Sequence, residues 1–185
     1  MSTDKVYGQA VSLSIDIQRA IFACMDVKKV EFTVAGVALD GESDAPTVLM
    51  RDISGMFLIT VPVGAFEASA IIIELEGLHP PRPLTHDLLA GFLRRHRFTL
   101  RSFELYERLE DGFLGRIRYR KGLKTFSMEV RPSDGIALAL RLGSPILANP
   151  DLAERIVGEL EQTHPIFHPE DSVLFLDHRG TELRA

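Results

Sequence analysis

The chain has 185 residues, 45% of them apolar, one cysteine and a formal net charge of -5 at pH 7. That is enough to close one substantial core. The acidity argues against a protein that coats nucleic acid by bulk charge, and Cys24 alone excludes an intramolecular disulfide or a cysteine-built zinc site within one chain.

In chain order, residues 1–27 alternate like a strand at Val11, Leu13 and Ile15. Ile17, Ala20, Ile21 and Cys24 also fit one helical face, so a partly helical N-terminal extension is expected. Val30, Phe32, Val34 and then Val37 to Leu39 predict a strand, followed by a turn at Asp40-Gly41-Glu42. Thr47 to Asp52 and Met56 to Val63, joined through Ser54-Gly55, predict a hairpin. After Gly64 the spacing becomes helical, with a stripe of Phe66, Ala70, Ile73 and Gly77 and Glu67 in the first turn. Pro80, Pro81 and Pro83 cannot continue that helix. A second helix is expected from Thr85 to His96, apolar along Leu88, Leu89, Phe92 and Leu93, with Leu84 and Leu89 stapled across its cap.

Three strands then follow with short turns: Phe98 to Leu109, Phe113 to Lys121 and Lys124 to Arg131. A third helix runs from Asp134 to Leu142 and stops at Gly143, where a left-handed cap is expected. Pro145 to Ala148 predicts a short strand, Asp151 to Glu161 a last amphipathic helix, and Ser172 to Leu176 an edge strand. Runs of strands interrupted by helices, rather than strict alternation, indicate an α+β domain with a mixed, largely antiparallel sheet and helices packed against it. The domain is placed at 28–150, with an N-terminal extension at 1–27 and a C-terminal helix and strand at 151–185.

The longest apolar run, near Ala68 to Ile73, is far shorter than the ~20 residues of a bilayer span. No secretory leader pattern opens the sequence, and a cytoplasmic protein without membrane contact is the simplest expectation.

Two motifs carry candidate chemistry: Arg82-Pro83-Leu84-Thr85-His86-Asp87 and Arg131-Pro132-Ser133-Asp134. Each puts an arginine and a proline before a hydroxyl residue and an aspartate at the start of a helix. Thr85 and Ser133 can cap unpaired N–H groups, the aspartates sit where a helix dipole favours anions, and the arginines can grip phosphate or carboxylate. A purely structural assignment stands beside each of these. The caps and dipoles need no ligand, Arg82 and Arg131 can simply pair with the aspartates, and Arg141 suits a helix C-terminus. His86 can be a capping or core histidine, and Glu67 is an ordinary first-turn acid. Arg116, Arg118 and Arg120 alternate with Tyr119 and lie near Phe103, Tyr106 and Phe113. That arrangement suits base stacking, although core packing is the commoner fate of phenylalanine. His164 and His168 are separated by Pro165, which argues against a shared metal-binding helical face.

Gly64 with Glu67-Ala68, then the Arg82 motif, then Arg131-Pro132-Ser133-Asp134 with Ile136-Ala137-Leu138-Ala139 and Arg141, resemble the bifunctional nuclease family over roughly residues 30–150. The resemblance implies an α+β fold, a homo-oligomer and hydrolysis of RNA and DNA with low sequence specificity. On that basis His86, Asp87 and Asp134 are candidate catalytic residues, and Arg82, Arg131, Arg141, Ser133 and Thr85 candidate substrate contacts. Asp87, Asp134, Glu129 and Glu67 are candidate ligands for Mg²⁺ or Mn²⁺. The chain departs from the family at Glu129-Val130, where aspartate and alanine are usual, and at Gly135, where alanine is usual. The alternative is a non-catalytic binding or regulatory module for an anionic ligand or a protein partner.

Overall fold

The computed structural model describes residues 29–39, 45–110 and 112–156. The N-terminal extension, His164, His168 and the strand expected at Ser172 to Leu176 lie outside them. Among the described residues eight strands form one mixed sheet: β1 (Val30–Leu39), β2 (Pro46–Asp52), β3 (Phe57–Pro62), β4 (Phe98–Leu109), β5 (Gly112–Lys121), β6 (Lys124–Val130), β7 (Ile146–Ala148) and β8 (Glu154–Arg155), in the order β6-β5-β4-β7-β1-β2-β3-β8. β4 and β7 run parallel, and the other neighbours are antiparallel. The expected fold class and hairpins are present.

Among the described residues three helices, α1 (Ala65–Leu75), α2 (Thr85–Arg95) and α3 (Pro132–Leu142), pack against the sheet. Alternation along the strands sends Phe32, Val48, Met50, Ile59, Val61, Phe103, Leu105 and Ile117 into the layer beneath them. α3 is the central helix and packs against both α1 and α2, with Ile136, Ala137, Leu138 and Ala139 buried. Its start comes close to the sheet because Gly135 lacks a side chain; a Cβ there would overlap the ring of Phe103. Gly143 ends the helix at φ 60°, as expected.

The orientation of the two outer helices differs from the apolar stripes read in the sequence. α1 buries Ala68, Ala70 and Ile71 and leaves Phe66 90% exposed. α2 buries Ala90 and Leu93 and leaves Leu88 71% and Phe92 52% exposed. The reason is polar. Asp87 and Arg94, two turns apart on α2, both reach Arg141 of α3, and this rotates Leu88 and Phe92 outward.

The caps also shift. Leu84 and Arg131, not Thr85 and Ser133, occupy the cap positions. The Asp87 carboxylate accepts the Leu84 N–H at 2.7 Å, and Pro132 fills the first helical position, where its missing N–H costs nothing. Leu84 at the cap is one place later than a staple with Leu89 requires. At the C-terminal end the expected helix from Asp151 does not form through residue 156. Asn149 caps a 3₁₀ turn at Pro150–Leu152, and β8 then pairs with β3, so the sheet continues past the expected boundary at 150.

Candidate functional site

The first turns of all three helices meet. Glu67 comes from the first turn of α1, His86 from that of α2, and Arg131 and Asp134 from the start of α3. A chain of ion pairs joins them. Arg131 Nη1 lies 3.1 Å from Glu67 Oε1, Arg131 Nε donates to Asp134 Oδ2 at 2.8 Å, and His86 Nε2 lies 3.1 Å from Asp134 Oδ1. The two arginine-proline motifs, 48 residues apart at His86 and Asp134, are therefore neighbours in space. Helix N-termini carry unpaired N–H groups and partial positive charge, so three of them at one place favour an anion.

The members differ in exposure, and this decides what each can do. The Arg131 side chain is 68% exposed, Asp134 35% and His86 13%. Partial burial pushes the Asp134 carboxyl up, but hydrogen bonds from Arg131 and His86 outweigh it and hold the group below the usual carboxylate range. Asp134 is thus a fixed anion beside the imidazole. Arg131 is pushed above its ordinary range by its hydrogen bond to Asp134 and the nearby Glu67. It has spent three of its five N–H donors on these carboxylates, and the others face solvent.

Asp87 and Arg141 form a separate pair. Arg141 Nε donates to Asp87 Oδ1 at 2.6 Å, Nη1 to the Ala137 carbonyl and Nη2 to the Ala70 carbonyl, both at 3.1 Å. With its side chain 3% exposed, Arg141 cannot reach a phosphate in solution, which corrects its expected substrate contact. It ties α1, α2 and α3 together instead. Burial raises the Asp87 carboxyl, but the Arg141 hydrogen bond and the Leu84 N–H bring it below its ordinary value.

The remaining candidates make no part of this chain of ion pairs. Ser133 is buried in the first turn of α3, Thr85 and Arg82 are exposed, and Glu129 is exposed on β6 opposite Arg116. As ligands for Mg²⁺ or Mn²⁺, Asp87, Asp134, Glu129 and Glu67 do not fit this arrangement. Asp87 is held by Arg141, Glu67 and Asp134 share Arg131, and Glu129 is on the sheet. Among the described residues no three His, Cys, Asp or Glu side chains converge as a metal site.

The sequence reading missed Glu104. It is buried in β4 on the face away from the helices and meets Lys29 Nζ at 2.7 Å, Arg116 Nε at 2.8 Å and Arg118 Nε at 2.7 Å. Burial pushes its carboxyl up, and hydrogen bonds from Lys29 and Arg116 with the nearby Arg118 guanidinium overcome this to set it at about 2. The signal was present: an acid at the middle of one strand, paired with Arg116 in a strand that carries arginines at every second position. Of the aromatics considered for stacking, Phe103 is fully buried, Tyr106 lies under Arg116 with 4.9 Å from ring centre to guanidinium, and Tyr119 stacks on Phe126 at 5.4 Å.

The family description of the bifunctional nuclease domain matches residues 48–160. The matched relatives include uncharacterized proteins from two strains of Mycobacterium tuberculosis. Each is 33% identical over 116 residues, which is 63% of this chain and 69% of theirs. The match begins inside β2 and takes in every residue of the three helix starts. No helix among the described residues is long and apolar enough to cross a membrane.

Proposed function

Because the chain belongs to the bifunctional nuclease domain family, we propose that it hydrolyses phosphodiesters of RNA and DNA at the junction of the three helix starts. The observation that carries this reading is the contact of His86 with Asp134 beside the exposed Arg131. With its Nε2–H donated to the Asp134 carboxylate, the imidazole keeps the Nδ1 lone pair as a proton acceptor. A water that loses its proton to Nδ1 attacks phosphorus, and the bond to the leaving oxygen breaks. That oxygen then takes a proton from solvent. The free N–H donors of Arg131 and the helix N-termini oppose the charge that builds on the non-bridging oxygens.

Asp134 acts through His86, holding its tautomer and orientation as the buried acid of a hydrolytic triad does. No metal enters this sequence, because the carboxylates are engaged by guanidinium groups.

Hydrolysis of labelled RNA and DNA strands by the purified chain tests the reading. His86→Ala is expected to abolish cleavage and Asp134→Asn to lower it by about 10²-fold, within the range of general-base effects. Chelator is expected to leave the rate unchanged. Equal cleavage by wild type and His86→Ala would overturn the assignment, and chelator-sensitive cleavage restored by Mg²⁺ would overturn its metal-free part.

A second reading, binding of an anionic ligand without hydrolysis, is favoured by the two carboxylates that already engage Arg131. Tight phosphate-ester binding without turnover would select it. The proposal also includes a cytoplasmic location and assembly of identical chains, the latter supported by Phe66, Leu88 and Phe92 on the outer helix surface. Sizing chromatography tests the assembly.

A further inference from the structure

A second surface, about one strand length from the helix starts, carries a cluster of positive charge. Between Asp87 and Glu104, and again between Asp111 and Glu129, the chain has no acidic residue. The fold brings these two acid-free segments together. Pairing of Phe98 with Lys121, Thr99 with Arg120 and Lys121 with Lys124 sets the start of β4 beside the β5–β6 turn. α2 ends at Arg95 two residues before β4 begins, so Arg95 and Arg97 join the same end of the sheet.

Arg95, Arg97, Arg101, Arg120, Lys121 and Lys124 are all exposed, in a chain whose net charge is -5. Glu104, the buried acid of this region, is already occupied by Lys29, Arg116 and Arg118. Like charges gathered at one end of the sheet repel each other, and a polyanion relieves that repulsion; alternation along β5 puts Lys121 and Lys124 on the face of Tyr119 and Phe126, and Arg120 on the other.

Aromatic rings lie beside these cations. Tyr119 and Phe126 stack at 5.4 Å with 19° between their planes, Phe98 meets Tyr119 edge-on, and Lys121 sits 4.7 Å over the Phe98 ring. Phe126 is 39% exposed. From this end, the edge strand β6 runs from Lys124 to Val130 and delivers the chain to Arg131 at the candidate site. Seven residues of strand cover about 20 Å, the length of roughly six nucleotides at about 3.4 Å each.

We infer that this basic, aromatic end of the sheet, with the β6 edge, binds single-stranded nucleic acid and leads it to Arg131. The inference rests on the proposed nuclease reading for the destination of the strand, but its surface is separate from the hydrolytic residues. Charge supplies affinity without sequence preference, and an exposed ring stacks on an unpaired base of any kind. An unpaired strand fits better than a duplex, whose bases are already stacked.

The test reads binding without cleavage, in the full-length His86→Ala protein, by fluorescence anisotropy of labelled oligo(dT) across a salt series. Adding Arg95→Gln, Lys121→Gln and Lys124→Gln together is expected to weaken binding at least about tenfold at low salt. The slope of log K against log salt should become shallower by about 2, at about 0.7 per phosphate contact. Phe126→Leu is expected to erase the preference for single strand over duplex. If the triple variant is unstable, the single exposed changes Arg95→Gln and Lys124→Gln serve instead, each shifting the slope by about 0.7.

An unchanged affinity and slope would overturn the inference. So would a change in subunit assembly on sizing with oligonucleotide binding intact, which would make this end a contact between copies. Loss of hydrolysis in the His86→Ala protein does not enter this readout, so the two proposals can fail separately.

Discussion

Asp87 and Arg141, 54 residues apart in the chain, meet at 2.6 Å with the arginine side chain 97% buried from solvent. The pair links the first turn of α2 to the last turn of α3, and two further N–H groups of the same guanidinium reach carbonyls of α1 and α3. Arg141→Ala would leave a partly buried carboxylate and the Ala70 and Ala137 carbonyls without their donor. The expected loss is about 3 kcal/mol, at the lower end for a broken buried pair because Asp87 keeps some water contact. Urea denaturation measures it, and a change under about 1 kcal/mol would show that the helices hold their places without the pair.

Glu104 makes stability depend on pH. Its carboxyl is lowered from 4.5 to about 2, so its contribution is fully present above about pH 4.5 and is lost as pH falls toward about 2. The shift corresponds to about 3 kcal/mol. Thermal unfolding from pH 7 down to pH 2 should show that loss in the wild type. Glu104→Gln is expected to be less stable at neutral pH and to have a flatter acid limb. Parallel pH profiles for the two proteins would refute the assignment.

Phe103 fills the space that two glycines leave open. A Cβ on Gly115 would stand 2.7 Å from its ring, and one on Gly135 would overlap it. Gly135→Ala alone is expected to cost about 1–3 kcal/mol through overpacking, although alanine is usual there in the family that the sequence resembles. Gly135→Ala combined with Phe103→Leu should recover part of the loss. Additive destabilisation in the double variant would mean that ring and glycine are not coupled.

Glu67→Gln removes one of the two carboxylates that hold Arg131. With its arginine mostly exposed, the ion pair itself contributes little stability, so the melting temperature should barely move. A phosphodiester substrate should gain the freed guanidinium donors, and KM is expected to fall by about threefold with kcat nearly unchanged. A drop in kcat would instead give Glu67 a part in the chemical step.

Strand boundaries, the hairpins and the mixed sheet were legible because alternation reports directly which side of a strand is buried. Arg82 to Asp87 and Arg131 to Asp134 were legible as helix starts because proline, hydroxyl and acid each have local preferences there. The rotations of α1 and α2 were not. Apolar periodicity assigns Phe66, Leu88 and Phe92 to the core, whereas the helices turn to satisfy Arg131 and Arg141, whose partners lie far away in sequence.

The amino-acid sequence by itself determined the elements, their order and the motifs in which His86, Asp134 and Arg131 occur. Only the tertiary structure decided that His86 and Asp134 touch, while Asp87, their neighbour in motif and composition, belongs to a buried tie with Arg141. Local preferences depend on residues a few positions apart. The direction of a charged side chain depends on which distant helix supplies the opposite charge, and that is settled only when the core packs.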